Sequence, residues 1–289
     1  MQKNFFVKSH GLGNDYIVLN SHYIDFPLTA QAIQLICDVH YGLGSDGILL
    51  HTPSATADAG LRIFNPDGSE AEKSGNGLRI FCKYLYDYEI ITRRSFSVET
   101  KGGLVNADIV EEDDGKARVI TIDMGTAVFD SRRIPVLNGN PECMGEKIQA
   151  GDKWYSIHCV SVGNPHCVIL VDELDEREIT TYGPLIENHP LFPNRINVQF
   201  AKVLLRNKVQ VLIWERGAGY TLASGSSSCA VAAVTSRLGL TDPSLTIEMP
   251  GGNLNISIDQ NFCIRMTGNV RQIAEGTLSP ELISELMHP

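Results

Sequence analysis

The sequence predicts a mixed α/β (α+β) protein built of two pseudo-symmetric, duplicated lobes. Three observations predict it: a repeat at an offset of 150 residues, strand-like runs alternating with helical periodicity in both copies, and apolar content ample for two cores. Gly13-Asn14, followed by Tyr16-Ile17-Val18-Leu19, returns as Gly163-Asn164, followed by Cys167-Val168-Ile169-Leu170. Phe64-Asn65 returns as Trp214-Glu215, and Ser74-Gly75-Asn76 as Ser224-Gly225-Ser226. The turn Lys101-Gly102-Gly103 between Glu99 and Asn106 recurs as Pro250-Gly251-Gly252 between Glu248 and Asn255, at an offset of 149. A period this long lies far outside the roughly 20 to 50 residues of solenoids, so it reads as one duplicated domain. Two facing halves would set the matched loops on opposite sides of one cleft. The first lobe is expected over residues 1–123 and the second over 124–269.

The elements follow in order. Phe5-Phe6-Val7 and Tyr16-Ile17-Val18-Leu19 read as strands on either side of a tight connection, His10-Gly11-Leu12-Gly13-Asn14-Asp15, which places Asn14 at a turn. Residues 29 to 41 carry Thr29 as N-cap, Ile33, Ile36 and Cys37 on one face and Gly42 as a stop, the signature of a helix. After Ser74-Gly75-Asn76-Gly77 the apolar residues Leu78, Phe81, Cys82 and Leu85 follow helical spacing, so this loop feeds a helix N-terminus. The second copy does the same: an Ala-rich helix follows Ser224-Gly225-Ser226-Ser227-Ser228 and ends near Gly239. Residues 95 to 100 and 104 to 110 form a hairpin, mirrored by residues 245 to 249 and 254 to 258.

Composition narrows the function. The chain has 289 residues and 43% hydrophobic residues, with no stretch approaching a membrane span and no apolar run at its N-terminus like that of a signal peptide. It reads as cytoplasmic, with no membrane partner. Seven scattered cysteines without a C-x-x-C pair argue against structural disulfides and a zinc site. A formal charge of -10 with no basic cluster argues against nucleic acid. His40, His51, His158 and His189 lack metal-ligand spacing, so no metal is expected. Gly42-Leu43-Gly44-Ser45-Asp46-Gly47 fits G-x-G-x-x-G, but it runs from a helix into the apolar strand Ile48-Leu49-Leu50, the reverse of a dinucleotide fingerprint. His10 and His166, each beside a Gly-Asn turn, read as structural, and Cys229 as a packing residue. Lys73 and Ser74 are neighbours in sequence, which usually point apart.

Two helix N-termini, each preceded by a loop of small residues, make a chemical proposal. Their free N–H groups and partial positive charge suit a carboxylate. Removing the α proton of an amino acid puts charge on the carboxylate oxygens, and preorganised donors there lower that barrier. Arg216 could clamp the same carboxylate, and Glu215 or the asparagines could hold the amino group.

These residues resemble the diaminopimelate epimerase family over nearly the whole chain. The likeness rests on His10-Gly11-Leu12-Gly13-Asn14-Asp15, Phe64-Asn65-Pro66-Asp67-Gly68-Ser69-Glu70-Ala71-Glu72, Gly75-Asn76-Gly77-Leu78-Arg79, Gly163-Asn164-Pro165-His166, Arg195-Ile196-Asn197-Val198 and Trp214-Glu215-Arg216-Gly217. The resemblance implies two lobes, each a sheet wrapped around a central helix, with residues 270–289 returning to the first. It implies a cofactor-independent isomerase, an epimerase interconverting LL- and meso-diaminopimelate for lysine and peptidoglycan precursors, and a possible homodimer. It also implies a small-molecule amino-acid substrate bound by Asn14, Asn65, Asn164, Asn197, Glu215 and Arg216, with backbone donors at Gly75, Asn76, Gly225 and Ser226.

The family uses two cysteines for proton transfer, and the matching catalytic positions here are Ser74 and Ser224. A serine hydroxyl is roughly five units weaker as an acid than a thiol, a deficit of about 7 kcal/mol if uncompensated. Other positions depart too: Gly219-Tyr220-Thr221 replaces Gly-Glu-Thr, Gly225-Ser226-Ser227-Ser228-Cys229 replaces Gly-Thr-Gly-Ala-Cys, and Lys73 replaces an apolar residue. Changes spread over several positions read as natural divergence rather than an engineered double replacement. Three readings stay open: an epimerase or racemase acting through Ser74 and Ser224, an isomerase or lyase on another amino acid with one-sided proton transfer, and an amino-acid-binding homologue without turnover.

Overall fold

The computed structural model describes residues 2–287. In chain order it contains β1 (Phe5–Gly11), β2 (Asn14–Asn20), α1 (Ala30–Cys37), β3 (Ile48–Thr52), β4 (Ala59–Phe64), β5 (Glu70–Ala71), α2 (Gly75–Asp87), β6 (Ser95–Thr100), β7 (Gly103–Asp113) and β8 (Lys116–Thr126). There follow β9 (Met144–Ala150), β10 (Lys153–Ser161), β11 (Pro165–Leu170), α3 (Glu176–Glu187), β12 (Asn197–Leu205), β13 (Lys208–Glu215), β14 (Gly219–Thr221), α4 (Gly225–Arg237), β15 (Ser244–Met249), β16 (Gly252–Ile258) and β17 (Cys263–Asn269). β18 (Arg271–Thr277) and α5 (Pro280–Met287) complete the described chain. It divides into two compact units, one of residues up to 122 together with those from 268 on, the other of residues 123–267.

The two units repeat one pairing scheme. In the first, β2 runs parallel to β3, β3 pairs antiparallel with β4, and β4 runs parallel to β6, which turns into β7. In the second, β11 runs parallel to β12, β12 pairs antiparallel with β13, and β13 runs parallel to β15, which turns into β16. Both hairpins expected from the Gly-Gly turns are present. In each unit the strands pack against a buried helix. Every residue of α2 from Asn76 to Leu85 is buried, and the helix packs on β1, β2 and β3. α4 is buried continuously from Ser227 to Thr235 and packs on β10, β11, β12, β13, β15 and β16. A helix enclosed on all sides must lose its polar face. In α4, alanines and serines meet that need and let several strands approach.

α1 is shorter than its apolar spacing suggests. It stops at Cys37, because Asp38 leaves helical geometry and its Oδ1 accepts the N–H groups of His40 and Tyr41 at 2.7 and 2.8 Å. Gly42 is therefore not the helix stop. It lies so close to the Leu35 carbonyl that a Cβ there would sit 2.0 Å from that oxygen.

α2 carries a charge pair inside its wrapped surface. Lys83 Nζ lies 2.7 Å from Asp87 Oδ2, with side-chain exposures of 6% and 1%. Both side chains also bind the backbone of Ala117: Lys83 Nζ donates to its carbonyl at 2.6 Å, and Asp87 Oδ1 accepts its N–H at 2.8 Å. The pair clips β8 to the central helix. Lys83→Met is expected to cost about 3–5 kcal/mol, because it strands a buried carboxylate, whereas Lys83→Met/Asp87→Leu recovers most of the loss. Urea unfolding of the two variants checks this. Among the described residues, no helix is long and apolar enough to cross a membrane.

Candidate active site

The glycine of each Gly-Asn turn holds a left-handed backbone, φ +86° at Gly13 and +102° at Gly163, which a side chain would strain. The turn places Asn14 at the start of β2 and Asn164 just before β11.

In the first unit Ser74 is the N-cap of α2. Its Oγ accepts the Gly77 N–H at 3.1 Å and lies 3.3 Å from the Tyr16 hydroxyl. Asn14 and Asn76 join one network: Asn76 Nδ2 donates to Asn14 Oδ1 at 3.3 Å, and Asn14 Nδ2 to Asp46 Oδ2 at 2.8 Å. Beneath it the fully buried Arg79 donates to Asn76 Oδ1 at 2.6 Å and to the Gly75 carbonyl at 3.3 Å. A guanidinium thus stands under the first turn of α2, adding positive charge where the helix already presents N–H groups. Asn65 is held separately, in the turn after β4, where its Nδ2 donates to Ser69 Oγ at 2.9 Å.

In the second unit Ser224 is the N-cap of α4, yet its side chain makes no capping bond. Its N–H donates to Met249 Sδ at 3.4 Å, and its Oγ lies 3.5 Å from Ser226 Oγ. The Glu215 carboxyl lies near the Ser224 hydroxyl: burial raises its pKa, and the neighbouring hydroxyl partly lowers it again. The two matched serines therefore differ: one caps its helix beside a phenol, and the other leaves its helix uncapped and faces a carboxylate.

Asn164 Oδ1 lies 2.8 Å from His166 Nε2, and Gln199 Nε2 approaches His166 Nδ1 at 3.1 Å and Ser227 Oγ at 3.0 Å. An amide oxygen only accepts, so His166 carries its proton on Nε2 and is neutral. Burial pushes its pKa down to about 3. A histidine depressed in this way stabilises the fold above its unfolded value of about 6.5 and loses that contribution as pH falls toward the folded value. Urea midpoints are expected to drop between pH 6.5 and 4, and His166→Gln to flatten part of that slope. Asn197 spends both ends of its amide on backbone: Nδ2 donates to the Pro165 carbonyl at 2.8 Å, and Oδ1 accepts the Arg216 N–H at 3.0 Å. Arg216 in turn donates through its guanidinium to the Asn194 carbonyl at 3.1 Å.

Sequence reasoning singled out the residues at turns and helix starts and missed those that connect them. Tyr16, Asp46 and Gln199 carried no motif signal in these roles. His10, read as structural, accepts the Gly13 N–H at 3.3 Å inside the first turn. Among the described residues, no three His, Cys, Asp or Glu side chains are gathered to hold a metal ion.

Matched loops feeding two buried central helices have counterparts among known proteins. The chain is 50% identical over 280 residues to diaminopimelate epimerase 2 of Nostoc sp., covering 96% of this chain and 97% of that protein. It is 39% identical to the diaminopimelate epimerase of Heliobacterium modesticaldum, covering 94% and 99%. The crystal structure of a probable proline racemase from Agrobacterium radiobacter, with bound carbonate, shares the fold at a TM-score of 0.71 and 13% identity, over 99% of this chain and 98% of that one. The sequence model of diaminopimelate epimerase matches residues 6–129 and 158–273, taking in both Gly-Asn turns and both serine loops. By that match and by its relatives, the chain belongs to the diaminopimelate epimerase family.

Proposed function

We propose that this protein epimerises diaminopimelate at its α carbon without a cofactor, with Ser74 and Ser224 as the two proton-transferring groups. The observation that carries this reading is the Ser224 hydroxyl, free of helix capping and neighboured by the buried Glu215 carboxyl. A carboxylate of raised pKa is a stronger base than an ordinary one, so it offsets part of the acidity that a hydroxyl lacks. In the deprotonation step the Cα–H bond breaks, the proton passes to Ser224 Oγ, and the serine proton passes to Glu215. The electron pair left on carbon spreads into the substrate carboxylate. Backbone N–H groups at Gly75, Asn76, Gly225 and Ser226 and the charge of Arg216 stabilise it there. Ser74 Oγ then gives its proton to the other face of the carbon and is resupplied by the Tyr16 hydroxyl, 3.3 Å away. Proton exchange with water returns Glu215 and Tyr16 to their starting states.

Asn14, Asn65 and Asn164 serve as polar partners for the substrate's amino and distal groups. Asn197 serves chiefly by fixing the backbone of Arg216. Because Glu215 must be ionised to act, kcat/KM is expected to fall as pH drops through its raised pKa, an acid limb above the ordinary carboxylate value of about 4.5. Chiral chromatography after incubation with LL-diaminopimelate tests the reading. Appearance of the meso isomer supports it, and unchanged LL isomer at millimolar substrate overturns it. A second reading, binding without turnover, draws on Ser74, whose hydroxyl oxygen already accepts the Gly77 N–H.

A further inference from the structure

Glu187 is the last residue of α3, and its side chain is 6% exposed. Three donors converge on its carboxylate. Trp214 Nε1 donates to Oε2 at 2.8 Å, while the Gly217 N–H and Arg195 Nη1 donate to Oε1 at 2.9 and 3.0 Å. Trp214 and Gly217 flank Glu215 and Arg216 in the chain, so one carboxylate grips the turn on both sides of that dipeptide. Gly217 sits at φ +82°, and Arg195, which brings the counter-charge, holds a left-handed backbone at φ +57°. The other side of the turn is pinned by Asn197, through the Arg216 N–H.

A buried carboxylate is costly, and an apolar residue would fill the same space more cheaply. The convergence of an indole, a backbone amide and a guanidinium makes the carboxylate useful for fixing geometry rather than for packing. We propose that Glu187 is the positioning residue that holds Glu215 and Arg216 in their working orientation. This deepens the proposed function and rests on the roles given there to Glu215 and Arg216.

The test uses Glu187→Gln in a Trp154→Phe background, which leaves Trp214 as the single tryptophan. A glutamine keeps one accepting oxygen but turns a donor toward a site where all three partners donate. The expected result is a kcat lower by about 10-fold to 100-fold with a raised KM, because a small misplacement of binding groups is enough for such a loss. Alongside it, Gly217 amide exchange should accelerate and Trp214 emission should shift to the red, while the melting temperature stays near that of the parent. Arg195→Gln, which leaves Glu187 two donors, should move the same readouts less and decides the matter if Glu187→Gln does not fold. Restoration toward parent values by Glu187→Asp adds support. Unchanged kcat and KM despite faster Gly217 exchange would overturn the proposal, as would unchanged exchange and emission. If the parent itself turns over no diaminopimelate, the functional reading fails on its own, and Gly217 exchange and Trp214 emission still decide whether Glu187 holds the turn.

Discussion

Ser74→Cys/Ser224→Cys is expected to turn over LL-diaminopimelate faster than the parent, by about 10²- to 10³-fold in kcat. The upper bound is the whole acidity gap between hydroxyl and thiol, about 7 kcal/mol, or roughly five powers of ten in rate. The observed gain should be smaller for two reasons found at the serines themselves. In the proposed mechanism Glu215 assists Ser224, and burial, which raises its pKa, favours it as a proton acceptor. Ser74 lies against Tyr16, which can pass a proton through it. A thiol at 224 would also gain from the helix N-terminus, where partial positive charge favours the thiolate. Steady-state kinetics on the two single variants and the double variant check this. A double variant no faster than the parent would mean that proton transfer does not run through these positions.

Glu215→Gln is expected to lose about 10²- to 10⁴-fold in kcat, the usual worth of a positioned general base. Glutamine keeps the size and a polar group beside Ser224 but cannot take its proton. The acid limb of kcat/KM should vanish with it, because no carboxylate remains to be ionised. Ser224→Ala should cost a similar factor, and Ser224→Ala/Glu215→Gln little more than either alone, since groups acting as one unit give non-additive losses. Additive losses would separate the two residues and assign Glu215 to substrate binding alone.

The repeat was legible because each copy kept the residues its turns require. Gly13 and Gly163 share a backbone geometry that tolerates little else, and the Gly-Gly turns close matching hairpins. The helices after Ser74 and Ser224 were legible from apolar spacing following a small-residue loop. α3 was not. It contains Thr180, Thr181, Gly183 and Pro184, poor helix formers that local propensity would not choose. Packing overrides that propensity: Ile179 and Ile186 are fully buried, and Gly183 lies so close to Trp214 that a Cβ would sit 2.8 Å from its ring. α1 is shorter than its apolar spacing predicts, since that spacing runs on toward Gly42 while the Asp38 side chain ends the helix one turn earlier.

At the candidate site the sequence offered the residues at turns and helix starts, but not their wiring. Arg79 reaches Asn76 from within its own helix, yet Asn76 reaches Asn14 across 62 residues. Gln199 joins His166 to Ser227, and Glu187 joins α3 to the turn after β13, over separations that no local pattern encodes. The difference between the two serines was equally hidden, since it depends on which side chain folding brings to each hydroxyl.

The most direct test of the central claim is proton NMR of LL-diaminopimelate with the unmodified protein in deuterium oxide. If serine and carboxylate carry the reaction, the α-proton signal disappears, deuterium enters that position, and the product is the meso isomer. Retention of the α proton under conditions where the substrate binds would contradict it, leaving a family member that holds its amino acid without turning it over.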